Sequence, residues 1–243
     1  MYLKRFVITM GDARVGKSTI SRLLLDLYRE NNIRLKAYYH GYVNKLEAYQ
    51  TDTFKIPLLD FSLDNSDIIL DSLQDKESSG LRLVLTDMPG QNLPQFKEFE
   101  KNIALIDNLN SIGYRVTFLH PISYRPDCPN EYLKPLFDTY GSRADYVIVK
   151  NHYFGDEFRY YDGQPIQEIV KIFKGVELNL RQLHYNYYQK LHDTGLTYSK
   201  AITVDSPLYV LERSLIFHWI KNFHDEVTDN AQAVKYLGLG NLE

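Results

Sequence analysis

One stretch, Gly11-Asp12-Ala13-Arg14-Val15-Gly16-Lys17-Ser18, constrains this chain more than any other. It fits the pattern G-x-x-x-x-G-K-[ST], and its surroundings fit too: a β-rich apolar run, Lys4 to Met10 (KRFVITM), leads in, and an amphipathic run leads out. From Ser18 onward Ile20, Leu23, Leu24, Leu27 and Tyr28 recur at helical spacing, so a helix is expected to end near Asn31-Asn32. A coincidental glycine turn would not need both flanks. In a loop of this kind backbone N–H groups converge on phosphate, the lysine reaches the β and γ oxygens, and the hydroxyl of Ser18 ligates Mg²⁺. Phosphate then sits at a helix N-terminus, where unpaired N–H groups and the helix dipole favour an anion.

A second element acquires meaning from the first. Leu81 to Thr86 (LRLVLT) is strongly β-forming and delivers Asp87-Met88-Pro89-Gly90-Gln91. An acid at the end of a buried strand, with glycine three positions later, is what a phosphate-loop protein uses to hold Mg²⁺ and to offer a backbone N–H near the γ-phosphate. Gln91 either orients a water or simply begins the next loop.

The remaining chain alternates strand and helix. Ile33–Tyr39, Tyr114–Leu119, Asp145–Lys150 and Val176–Leu178 read as strands. Helices are expected at Ser66–Lys76 with Ser66 as cap and a stripe of Ile68, Ile69 and Leu73, at Leu93–Ile112 as one long helix, at Glu131–Tyr140, Pro165–Lys174 and Arg181–His192, and at Pro207–Val227. The last carries a stripe of Leu208, Leu211, Leu215, Ile216, Trp219 and Phe223, read as core or dimer contact. His40 to Asn65, polar and weakly periodic, is expected to hold a switch segment, and Lys235 to Glu243 to fray. With 44% apolar residues in 243, the expectation is an α/β fold: a doubly wound, mostly parallel sheet flanked by helices, in a single domain spanning residues 1–243 with a helical C-terminal region at about 180–237.

Composition narrows the partners. A formal net charge of −3 gives no global attraction to nucleic acid or to an anionic membrane. The single cysteine, Cys128, excludes an intramolecular disulfide and a multi-cysteine zinc site, which points to a cytoplasmic protein. No apolar run approaches the roughly 18 residues needed to span a bilayer. In the C-terminal third Lys171, Lys174, Arg181, Lys190, Arg213 and Lys221 are interspersed with acids, so a DNA-binding stripe has only weak support.

Base preference follows from the late strand. A guanine-reading Asn/Thr-Lys-x-Asp element would need an acid two residues after Lys150, and the chain has Lys150-Asn151-His152. The only Asn-Lys pair, Asn44-Lys45, follows the second strand, out of reach of a base on this reading. Adenine is therefore expected, with Asn151 as a partner able to donate and accept, or else as a strand-ending turn residue.

Taken in order, the strand, the Gly11–Ser18 loop, LTDMPGQ and VIVKN resemble the ParA/MinD/CobQ group of phosphate-loop ATPases. VIVKNHYFG, the Phe158 loop, LTYSKAI and the tryptophan helix resemble the plasmid stability and mobilisation proteins of the StbB and MobD type. The resemblance spans residues 1 to 225. It implies a dimeric ATP switch acting in plasmid partition or conjugative mobilisation, with a possible protein partner. Gly11, Asp12, Ala13, Arg14, Val15, Gly16, Lys17, Ser18, Thr19 and Gly90 would surround ATP, Ser18 and Asp87 would hold Mg²⁺, and Asn151 would meet the base. Lys17, Asp87 and Arg14 would carry any catalysis.

Two departures qualify what the resemblance implies. Asp12 stands where such loops usually carry a lysine that reaches the partner's nucleotide, with Ala13 and Arg14 in place of two glycines. No carboxylate occurs between Leu35 and Leu46, where the family places a water-orienting aspartate. Arg14 either replaces the lost lysine charge or is a solvated loop residue. Three functions stay open: an ATPase switch, a hydrolysis-deficient nucleotide-binding scaffold, and a small-molecule kinase or ligase in which Arg125, Arg143 or Arg159 would clamp phosphate.

Overall fold

Lys4–Thr9 (β1), Leu35–Tyr39 (β2), Leu83–Asp87 (β3), Tyr114–Ile122 (β4), Asp145–Asn151 (β5) and Val176–Leu180 (β6) pair in parallel into one sheet of order β2-β3-β1-β4-β5-β6. The computed structural model describes residues 4–59, 66–74 and 80–240, with backbone alone for 66–69. Successive residues of each strand face opposite sides. Phe6, Ile8, Val84, Phe118 and Ile148 join one core, while Val7, Leu83, Leu85, Val147 and Val149 join the other.

Chain direction explains which helix covers which face. From β1 the chain moves past β3 to β2 by way of helix α1 (Lys17–Glu30), and every later crossover runs the other way across the sheet. Right-handed crossovers therefore put α1 on one face and the helices α2 (Ser66–Gln74), α3 (Leu93–Ile103), α4 (Leu105–Ser111), α5 (Lys134–Tyr140) and α6 (Pro165–Ile172) on the other. The face holding α1 would be left bare beyond it. The C-terminal helices α7 (Tyr185–Asp193), α8 (Tyr198–Ala201), α9 (Val210–Thr228) and α10 (Ala231–Tyr236) cover it, with Ile216, Trp219 and Phe223 in the same core as Ile20 and Leu24 of α1. The sheet is doubly wound, as the strand–helix alternation implies.

Several boundaries differ from the sequence expectation. The long helix expected over Leu93–Ile112 is broken at Ala104, which is left-handed (φ 46°, ψ 48°). Asn108 Nδ2 donates to the Ile103 carbonyl at 2.7 Å across the break, and the new direction brings Leu105, Ile106 and Leu109 into the core. The expected helix over Glu131–Tyr140 is a π-helical turn, Cys128–Leu133, continued by α5. Strand β4 runs on through Pro121 because its missing N–H lies on the side facing β1, which has already ended in the loop; Leu119 makes the last bond there, accepting from Met10 N at 3.0 Å. Within α9, Leu211 and Leu215 are exposed while Ile216, Trp219 and Phe223 are buried, so the expected stripe is only partly core.

The expected fraying after Lys235 is corrected as well. Leu237 and Leu239 are buried, and Tyr28 Oη donates to the Leu237 carbonyl at 2.8 Å. The Ser66 cap and the Ile68 and Ile69 side chains lie outside the described residues, as do residues 60–65, Lys76 and residues 241–243.

Candidate functional site

The carboxyl ends of β1, β3, β4 and β5 meet where the winding direction reverses, the position at which α/β sheets bind ligands. The Gly11–Gly16 loop lies here between β1 and α1. Gly16 takes the left-handed conformation (φ 95°) and its carbonyl accepts the first helical bond, from Ile20 N at 3.0 Å. A side chain at this position would also strike Asn151: a Cβ would fall 2.5 Å from Asn151 Nδ2. Lys17 is buried and folds back on the loop, donating from Nζ to the Gly11 carbonyl at 3.3 Å and to that of Asp12. Burial lowers its ammonium to about 8, against the pull of Asp87.

Asp87 ends β3 fully inside the protein. Its Oδ1 accepts from Ser21 Oγ at 3.1 Å and from Thr9 Oγ1 at 3.5 Å, and burial pushes its carboxyl up. The nearby Ser18 hydroxyl works against that push. One carboxylate beside a phosphate-loop hydroxyl is a set of hard oxygen donors suited to Mg²⁺, which takes few protein ligands and keeps phosphate and water for the rest. Among the described residues no three His, Cys, Asp or Glu side chains cluster as a metal site.

The turn after β3 closes against the loop. A Cβ on Gly90 would lie 2.4 Å from Ala13 Cα, so only glycine permits this approach. Gln91 N donates to the Gly11 carbonyl at 3.2 Å, and the Gln91 side chain points to Asp12 Oδ1 at 3.5 Å.

Asp12 is buried, and its role is internal. Its Oδ1 accepts from Ala13 N at 2.6 Å, which occupies one of the loop's own N–H groups, and its Oδ2 pairs with Arg125 Nη1 at 2.9 Å. Arg125 also donates to the Ala13 carbonyl. Of the three arginines considered as phosphate clamps, only Arg125 reaches the loop: Arg143 pairs with Glu100 and Asp107, both at 3.0 Å, and Arg159 lies over Tyr160. Arg14 is exposed, left-handed (φ 61°), and lines the cavity beside Lys17. Beneath the loop, His120 is fully buried and donates from Nε2 to the Cys128 carbonyl at 3.2 Å; burial holds it neutral, near 3.

Asn151 ends β5 with its amide engaged: Nδ2 donates to the Val15 carbonyl at 2.9 Å and Oδ1 accepts from Tyr153 N at 3.1 Å. The other amide hydrogen and lone pair are not used in these bonds. A cavity of about 540 Å³ opens from Lys17, Ser18 and Thr19 toward an aromatic wall of Tyr153, Tyr188, His192 and Trp219. Tyr188 lies 4.5 Å from His192 and 5.5 Å from Tyr153 between ring centres, and its hydroxyl bonds Thr19 Oγ1 at 2.7 Å. Burial and Arg22 lower His192 to about 4, so the wall is neutral at working pH. A planar base can stack on such a wall while its phosphates lie along the loop.

This is the P-loop NTPase fold in its MinD form. The solved structure of the cell division ATPase MinD from Pyrococcus furiosus superposes with a TM-score of 0.52 at 12% identity, over 93% of this chain and 99% of that one. MinD from Pyrococcus horikoshii, complexed with Mg-ADP, gives 0.51 at 14% identity over 96% and 98%. The Aquifex aeolicus MinC:MinD complex gives 0.50 at 12% over 90% and 94%. No protein-family model matches the chain, and no curated protein matches it by sequence. At these identities the MinD likeness establishes fold.

The aromatic wall of the cavity and Lys45 escaped the sequence reading as site residues. Trp219 was visible only in a helical stripe, and Tyr188 only as part of the helix expected at Arg181–His192. Lys45, set aside with Asn44, lines the same cavity as the loop. Of the basic residues of the C-terminal third, Lys171, Lys190 and Lys221 pair with Glu168, Glu212 and Asp225. No described helix is long and apolar enough to cross a membrane.

Proposed function

We propose that this chain is an ATP-binding, Mg²⁺-dependent switch of the ParA/MinD kind, a weak ATPase that works as a homodimer in plasmid partition, stability or conjugative mobilisation. The observation that carries it is the buried Asp87 carboxylate hydrogen-bonded to Ser21 beside Ser18 and Lys17, at the mouth of a phosphate loop. Gly11 to Thr19 would cradle the phosphates, and Lys17 would leave the Gly11 and Asp12 carbonyls to bind the β and γ oxygens. Ser18 and Asp87 would hold Mg²⁺, which neutralises charge on the phosphates. Gly90 would present its N–H toward the γ-phosphate. Adenine would stack on Tyr153 and Tyr188, with Asn151 fixing the loop from behind and offering its remaining amide hydrogen. A Mg-ADP complex of the P. horikoshii MinD and a MinC complex of the A. aeolicus one are in keeping with a nucleotide-dependent, partner-binding role. DNA remains a proposed partner on the resemblance alone.

Calorimetry tests the binding. Mg²⁺-dependent ATP binding is expected in the wild type and lost in Lys17→Ala; undiminished binding in that variant refutes the proposal.

A second function is favoured by one arrangement. Asp12, at the position of the family lysine, is committed to Ala13 N and Arg125, and the segment after β2 supplies no carboxylate before Leu46. A scaffold that binds nucleotide without turning it over would look like this. ATP turnover well above background, abolished in Asp87→Ala, excludes it.

A further inference from the structure

Two openings meet at the phosphate loop. The first is the 540 Å³ cavity described above; the second is a groove of about 860 Å³ that reaches Asp87 from the other side, between the segment after β2 and helix α3. Among the described residues only Ser18, Lys45 and Met88 border both, and of these only Lys45 is charged. A phosphate chain laid along the loop runs to the boundary between the two, because Lys17 lines the first opening, Asp87 the second, and Ser18 both.

Lys45 is held at this boundary by its backbone. Arg22, on the second turn of α1, donates Nε to the Lys45 carbonyl at 2.8 Å and adds a bond from Nη2. Next to it, Asn44 Oδ1 accepts from the N–H of the fully buried Leu46 at 2.9 Å. The Lys45 side chain is exposed, and no carboxylate pairs with it among the described residues. The other nearby cations are differently placed. Arg125 is neutralised by Asp12, and Arg14 borders the first cavity only.

We propose that Lys45 binds the terminal phosphoryl group of a nucleoside triphosphate, supplied in cis by the segment after β2. This rests on the nucleotide-binding role proposed above. A nucleoside diphosphate ends before the boundary, so Lys45 confers preference for the triphosphate. Arg22 is the positioning residue that sets its reach.

The test is calorimetric titration of the full chain with MgATP and with MgADP, in the wild type, Lys45→Ala, Lys45→Arg and Lys17→Ala. Lys45→Ala is expected to weaken MgATP by about tenfold or more, the effect of losing one charge-assisted hydrogen bond, and to leave MgADP unchanged. Lys45→Arg is expected to restore the preference, and Lys17→Ala to weaken both nucleotides. If Lys45→Ala affects both nucleotides equally, or neither, while Lys17→Ala still abolishes binding, the role of Lys45 is overturned and nucleotide binding stands. A wild-type chain that binds neither nucleotide overturns both.

Discussion

Raising the pH from 7 to 9 should separate nucleotide affinity from fold stability, because Lys17 titrates in this range. Burial lowers its ammonium to about 8 in the free protein. The charged fraction then falls from about nine-tenths at pH 7 to about one-tenth at pH 9. A bound triphosphate requires the charged form and holds it, so affinity should drop about tenfold, near 1.4 kcal/mol, across the interval. Binding should take up almost no proton at pH 7 and close to one at pH 9. The stability of the free protein moves the other way. A folded-state value below the unfolded 10.5 means that the cost of burying the charge is fully present below 8 and is lost as pH rises toward 10.5, where the unfolded chain binds the extra proton. Calorimetry in two buffers of different ionisation enthalpy measures the uptake. Lys17→Arg, whose guanidinium does not deprotonate, should flatten any residual binding profile. Wild-type affinity that is flat between pH 7 and 9, without proton uptake, refutes the assignment.

Gly90→Ala should abolish nucleotide binding, since its Cβ would overlap the Ala13 backbone; titration of a folded variant with unchanged affinity would contradict this. Arg5 is buried against Asp145, with Arg115 on the other carboxylate oxygen at 3.1 Å. Arg5→Met should therefore cost about 1–3 kcal/mol in urea unfolding, because Asp145 keeps Arg115 but loses its buried charge-assisted bond to Arg5; an unchanged stability would contradict it. Asp87→Asn should raise the melting temperature of the nucleotide-free protein while removing the Mg²⁺ dependence of binding: with its carboxyl pushed up by burial, the charged form costs stability above the folded pKa, and the cost disappears on acidification. A lowered melting temperature would show that the carboxylate's bonds to Ser21 and Thr9 outweigh its desolvation.

What could be read from the sequence was local. Strand, glycine loop and amphipathic helix are contiguous, so Lys4 to Glu30 announces both its shape and its chemistry, and Asp87 is found by the strand that carries it. The break at Ala104 was invisible because alanine is a strong helix former and its left-handed turn is imposed by burial of Leu105 and Ile106. Asp12 read as a missing lysine, since Arg125, the partner that explains it, is 113 positions away. Lys45 was dismissed by its distance from the late strands, although the loop after β2 returns to the phosphate end of the sheet. The tail after Lys235 looked loose for its glycines, whereas Leu237 and Leu239 fill the last gap beside α1.

The braces around the loop bear on how fast a ligand can arrive. Lys17, Arg125, Gln91 and Asn151 together hold the carbonyls of Gly11, Asp12, Ala13 and Val15. Ordering a residue costs about 1–2 kcal/mol of backbone entropy, and here that cost falls on folding and not on the encounter. Association should therefore be limited by diffusion into the cavity and by the swing of a single lysine, so that differences in residence time, and not in capture, distinguish one nucleotide from another.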